Sequence, residues 1–170
     1  MELSTREFWA LIHGLILGGG FIAAFTGGLA GFYSLRPELI TAAGVHERMR
    51  RLTLGTTAMA AIAWVTVITG TWIVYPWYRE DIEDSPRSLL LADEDTKDWH
   101  EFAMEWKEHV AWIAPMLATA AAFIVFYYRD ELIRNQAMRR IALWLFIGAF
   151  GIAVVAGILG ALITKKAPVL

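Results

Sequence analysis

Residues 141–164 read IALWLFIGAFGIAVVAGILGALIT, a run of 24 residues without one Asp, Glu, Lys or Arg. At 1.5 Å per helical residue, such a run covers the roughly 30 Å hydrocarbon core of a bilayer. Three other stretches, 8–35, 54–76 and 110–128, are equally free of these residues. Together they predict an all-α integral membrane protein, a four-helix transmembrane bundle filling one domain over 1–170. A hydrophobic share of 57% and a mean hydropathy of +0.47 exceed what soluble domains carry.

The chain has no cysteine. That excludes disulfides, iron–sulfur clusters, thiolate-ligated haem and covalent c-type haem attachment. A net charge of −2 with no basic run gives no footing for nucleic acid. The first apolar run is too long for a signal-peptide core, and Glu2, Arg6 and Glu7 precede it in place of a clean basic region. It is expected to remain as a spanning helix.

Orientation follows from the short connections. Arg36, Arg48, Arg50 and Arg51 lie in 36–53, and Arg129, Arg134, Arg139 and Arg140 lie in 129–140. Eight arginines on these two connections predict a cytoplasmic side. The connection 77–109 is acidic, with Glu80, Asp81, Glu83, Asp84, Asp93, Glu94, Asp95, Asp98 and Glu101. It belongs outside, as do both termini of a plasma-membrane protein of bacterial or archaeal type, although Lys165 and Lys166 pull the other way.

Of four histidines, His13 and His109 sit at equivalent depth at the outer ends of helices 1 and 3. An imidazole in hydrocarbon is costly unless it has a partner, so this pair suggests one shared ligand, a b-type haem with both rings as axial ligands of the iron. Gly20, Gly70, Gly157 and Gly160 lie where they would leave room for the macrocycle. Close helix packing is the competing use of the same glycines, and a headgroup-level position is the competing use of the same histidines. His46 belongs to the arginine side, where only Met49 and Met138 offer a thioether, so a single haem is expected.

The stretch 98–109 is predicted to extend helix 3 outward by about three turns, with Thr96 or Asp95 as N-cap. His100 and His109 are half a turn out of phase on it. Glu105, Glu108 and His109 have spacings that suit a transition metal. His100, Glu101 and Glu105 are candidate hydrogen-bond partners for a quinone ring or for a redox partner. The acids of this side would attract a basic periplasmic electron carrier. Trp72, Tyr75, Trp77, Tyr78, Trp99, Trp106 and Trp112 suit an interfacial aromatic belt, and Pro115 predicts a break in helix 3.

His13 on helix 1 and His109 on helix 3, set among four spans, make the chain resemble the four-helix transmembrane b-type cytochromes that anchor respiratory enzymes. The likeness extends over all four spans at the level of architecture. It implies a subunit that passes electrons between a quinone pool and a peripheral partner alongside other membrane subunits. The chain departs from two-haem members in lacking a second histidine pair. Two other readings stand beside it: a haem-free accessory subunit packing through its glycine-lined faces, and a metal-dependent membrane enzyme using Glu105, Glu108 and His109.

Overall fold

The computed structural model describes residues 3–41 and 44–168. Glu2 lies outside the described residues, among which there is helix and no strand. Four helices are long and apolar enough to cross a membrane: α1 (Thr5–Ser34), α2 (Val45–Tyr78), α3 (Trp99–Tyr127) and α4 (Gln136–Lys166). No more than 28% of the most apolar window of any of them is buried. Side chains such as Leu54, Phe126 and Trp144 therefore point outward, as in helices solvated by lipid.

The helices run past the apolar stretches because helix formation does not stop where charge begins. Arg48, Arg50 and Arg51 lie on the first turns of α2, where Glu47 pairs with Arg50 at 2.9 Å and with Arg51 at 2.7 Å. A short helix, Arg129–Arg134, fills most of the connection before α4. Two starts carry side-chain caps. Ser4 and Glu7 form a reciprocal capping box at α1, and Asn135 Oδ1 accepts from the Met138 amide at 3.1 Å at α4.

The expected N-cap of α3 needs correction. Thr96 stands directly before the helical residues Lys97 and Asp98, as expected, but its hydroxyl donates to the Leu90 carbonyl at 2.9 Å, near the end of a short helix, Pro86–Leu91. Helical bonding in α3 lapses at Ala111 and Trp112 and resumes at Ile113. Pro115 is the cause, since it brings no N–H to the Ala111 carbonyl and its ring crowds that carbonyl.

Contacts divide the chain into two compact units, each built from a piece of all four long helices. One comprises Gly20–Ala63 and Ile113–Gly151 and holds the arginine-bearing ends. Its core is a small-residue seam. A Cβ on Gly55 would lie 2.8 Å from the Gly28 nitrogen, and one on Gly31 would lie 3.0 Å from Leu52 Cα. Lipid gives no hydrophobic drive to helix association, so close backbone approach of this sort supplies the dispersion contact. Phe25 then stacks on Phe146 and Phe150, with centroids 5.2 and 3.7 Å away.

The other unit comprises Met1–Gly19, Trp64–Trp112 and Ile152–Leu170 and includes the acidic connection. Tyr78, Leu90, Ala103, Met104, Ile163 and Ala167 form its apolar cluster. Ser85 caps the short helix Pro86–Leu91 by accepting from the Ser88 amide. That helix sets Leu90 into the cluster, so part of the acidic connection is packed structure.

Candidate functional site in the acidic-end unit

Three π-helical turns occur in this unit: Ile12–Ile16 in α1, Gly70–Val74 in α2 and Trp99–Met104 in α3. Such turns are rare and cluster at functional sites. The first carries His13, the second opens with Gly70, and the third carries His100.

His13 is half-buried, with Nδ1 3.1 Å from Thr69 Oγ1. The single hydroxyl proton of Thr69 goes to main-chain carbonyls, Val65 at 2.8 Å and Thr66 at 3.1 Å. In that arrangement Thr69 accepts from the Nδ1–H tautomer of His13, which leaves the Nε2 lone pair over. The imidazole fills the space above Gly70, where a Cβ would lie 2.9 Å from His13 Cε1.

His109 takes the same tautomer by another route, donating Nδ1–H to the Glu105 carbonyl at 2.8 Å. Its side chain is 73% exposed, on the outward stripe of α3 with Phe102, Ile113 and Met116. Lys107, two residues earlier and about 200° around the helix, is the residue of α3 whose charge acts on His13. The two imidazoles thus have separate surroundings.

His100 is 6% exposed, and Tyr78 Oη lies 2.8 Å from its Nδ1. The half-turn offset expected between His100 and His109 is observed, one ring inside and the other outside. Tyr75 stacks on Tyr78, and the Glu108 charge acts on it. Arg79, Arg87 and Glu105 complete the charged surroundings of His100. Two polar atoms here, Glu108 Oε1 and Arg87 Nε, are buried without a hydrogen-bond partner. Glu101 is exposed and Glu105 half-buried.

Of the glycines expected to make room for a macrocycle, Gly70 receives His13 and Gly160 receives the Lys107 ammonium, 2.7 Å from an added Cβ. Gly20 is in ordinary contact with Ile62 in the arginine-end unit, and Gly157 faces open space. Trp112 sits edge-on to Trp64 and Trp72, centroids 6.3 and 6.1 Å away.

The expected metal set of Glu105, Glu108 and His109 is not assembled: among the described residues no group of three or more His, Cys, Asp or Glu is placed to hold a metal ion. Glu108 has a buried carboxylate oxygen while the His109 ring is exposed, so the three side chains, though within little more than one turn, do not converge. In the arginine-end unit, exposed His46 lines a shallow cavity with Met49, Arg129 and Asp130.

Tyr78, Arg87 and Lys107 escaped the sequence reading. Tyr78 falls within the expected aromatic belt, and the sequence reading gives Arg87 and Lys107 no role. No protein-family model matches the chain, and no curated protein and no solved structure matches it either.

Proposed function

We propose that the chain is a membrane electron-transfer subunit holding one b-type haem, with His13 and His109 as axial ligands. It would pass electrons between quinol, or a redox partner on the acidic side, and a larger respiratory complex. The observation that carries this reading is His13, an imidazole within a membrane-crossing helix whose Nδ1 is engaged by the Thr69 hydroxyl at 3.1 Å. Imidazoles that bind metals are oriented in this way through their other nitrogen. His109 meets the same condition through the Glu105 carbonyl. Each ring taken singly thus has the donor chemistry of a haem-iron ligand; a haem held by both, which would supply reversible one-electron transfer, would require His109 to turn in from the exposed face of α3.

The chain's own residues do the rest. Thr69 and the Glu105 carbonyl orient the two rings. The break at Ala111 and Trp112 separates the His109 end of α3 from the remainder of its hydrogen-bond ladder. His100, Glu105 and Glu101 offer hydrogen bonds to a quinone ring, and the acidic connection attracts a basic carrier in a salt-dependent manner. In this reading the arginine-bearing ends face the cytoplasm, and the termini lie outside.

The test is a reduced-minus-oxidised absorption spectrum with a pyridine haemochrome count on wild type, His13→Ala and His109→Ala. A b-type spectrum lost in both variants is expected. A folded wild type that binds no haem in haem-replete cells would overturn the reading.

A second reading, a haem-free accessory subunit, is favoured by a specific observation. Gly14, Gly18, Gly19, Gly27, Gly151 and Gly157 have nothing within 4 Å of an added Cβ, while Gly70 and Gly160 are filled from within. Open glycine faces suit close approach by helices of a larger membrane partner. Co-purification of a second membrane subunit, lost on Gly→Leu substitution along these faces, would support it.

A further inference from the structure

The cavity beside His46 belongs to the arginine-end unit. It is lined by Val45, His46 and Met49 from the start of α2 and by Arg129, Asp130 and Ile133 from the short helix before α4, and it encloses about 330 Å³. That volume stands at the small end of ligand sites, about 300–1,000 Å³. Arg129 directly follows the charge-free stretch 110–128, and Met49 stands five residues, roughly 8 Å of helix, ahead of the stretch that begins at Leu54. The cavity is therefore at the depth of lipid headgroups.

The charge around it is positive and largely unneutralised. Connections 36–53 and 129–140 carry eight arginines against four carboxylates, Glu38, Glu47, Asp130 and Glu131, a net charge of +4 with His46 neutral. Glu47 takes both Arg50 and Arg51. Arg48 donates to the Ser34 carbonyl at 2.7 Å, Arg139 donates to the Leu132 carbonyl at 3.0 Å, and Arg36 lies 4.1 Å from the Tyr33 ring centroid. Such partners position a guanidinium without cancelling its charge. Arg129 itself is half-buried and has no ion pair among the described residues. It opens its short helix, where the positive end of the helix dipole disfavours a cation, so helix stability does not account for its place.

We infer that this cavity binds the headgroup of an anionic phospholipid. The phosphodiester oxygens accept from the Arg129 guanidinium and the His46 ring, a headgroup hydroxyl donates to the exposed Asp130 carboxylate, and Val45, Met49 and Ile133 form the apolar wall. A guanidinium matches phosphate oxygens in bidentate geometry, and basic pockets between membrane helices suit anionic headgroups. An ethanolamine headgroup carries an ammonium that the surrounding positive charge repels. Haem binding plays no part in this site, so it stands or falls separately from the reading above.

The test uses the full chain in detergent micelles, with native mass spectrometry counting the lipid retained as phosphatidylglycerol or phosphatidylethanolamine of matched chains is added. Phosphatidylglycerol is expected to bind about tenfold more tightly. Arg129→Gln removes a charge-assisted hydrogen bond and is expected to weaken phosphatidylglycerol about tenfold or more, and His46→Ala about fivefold. Arg140→Gln removes the same charge from the same end outside the cavity, and is expected to leave binding within about twofold. Equal retention of the two lipids would overturn the proposal, as would equal losses in Arg129→Gln and Arg140→Gln, which would mean a diffuse field with no defined site. Displacement of the lipid by millimolar inorganic phosphate would overturn it in favour of a free-phosphate site. If Arg129→Gln does not fold, unchanged binding in His46→Ala, which alters an exposed side chain, overturns it alone.

Discussion

Replacing Gly55 with alanine probes the seam that joins α1 to α2 in the arginine-end unit. The added Cβ would lie 2.8 Å from the Gly28 nitrogen and 2.9 Å from the Gly28 Cα. Both are main-chain atoms, so no side chain can swing aside. Carbon contacts are most favourable at roughly 3.5–4.0 Å, so the helices must part by about 1 Å, a gap that forfeits a quarter to a half of each attraction it opens. Gly31 against Leu52 and Gly28 against Phe146 share that seam and loosen with it. Overpacking of this kind costs about 1–3 kcal/mol, and the better helix propensity of alanine offsets at most about 1 kcal/mol. The expected net loss is about 1–2 kcal/mol, a factor of roughly 5–30 in the folded-to-unfolded ratio. Gly151 is the matched control: its Cβ would meet nothing within 4 Å, so only the propensity gain applies. Reversible unfolding in mixed micelles, titrated with SDS, measures both variants against wild type. Gly55→Ala as stable as wild type, or Gly151→Ala as damaging as Gly55→Ala, would refute the assignment of this seam.

Two further outcomes follow from individual contacts. Thr69→Val keeps the side-chain shape but strips His13 of its acceptor, so it is expected to cost about 1–3 kcal/mol and to replace a single tautomer by a mixture in the histidine 15N spectrum, with Thr69→Ser restoring it. An unchanged spectrum in Thr69→Val would show that Thr69 does not set the tautomer. Arg6 holds Glu80 through two contacts of 2.8 and 3.0 Å, with both side chains about a third exposed, so Glu80→Gln is expected to cost no more than about 1 kcal/mol, less at high salt. A loss independent of salt would mean that the contact acts through shape and not through charge.

The spans were legible because their signal is length without charge, and burial inside the chain hardly enters it. Residues 8–35, 54–76, 110–128 and 141–164 all fall on the four long helices, apart from a residue at the end of the first and third, but the true ends differ by as much as eleven residues, as at Trp99. Charge marks the edge of hydrocarbon, whereas a helix ends where its caps and main-chain bonds end. The lapse in α3 fell where Pro115 required it. Thr96 suited an N-cap by type and position, but its hydroxyl is turned to donate to the Leu90 carbonyl, a contact the fold supplies and the helix pattern does not show. His13 and His100 were legible as ionisable groups at the ends of spans. Their partners were not, because Thr69 and Tyr78 approach only through contacts that span 56 and 22 residues of sequence.

The π-helical turns explain why a helical wheel misplaces this site. Each turn admits one extra residue, which rotates everything beyond it by about 100° relative to an unbroken α-helix. Gly70–Val74 stands between Thr69, which orients His13, and Tyr75 and Tyr78, which address Glu108 and His100. Without that extra residue, a single face of α2 could not serve both sets. Trp99–Met104 likewise resets α3 between His100 and the Lys107 and Glu108 pair. Gly70 combines two requirements at one position, opening the π-helical turn and leaving space for an imidazole. The polar chemistry is therefore confined to the unit whose helices depart from regular geometry, whereas the unit with unbroken small-residue packing holds helices together.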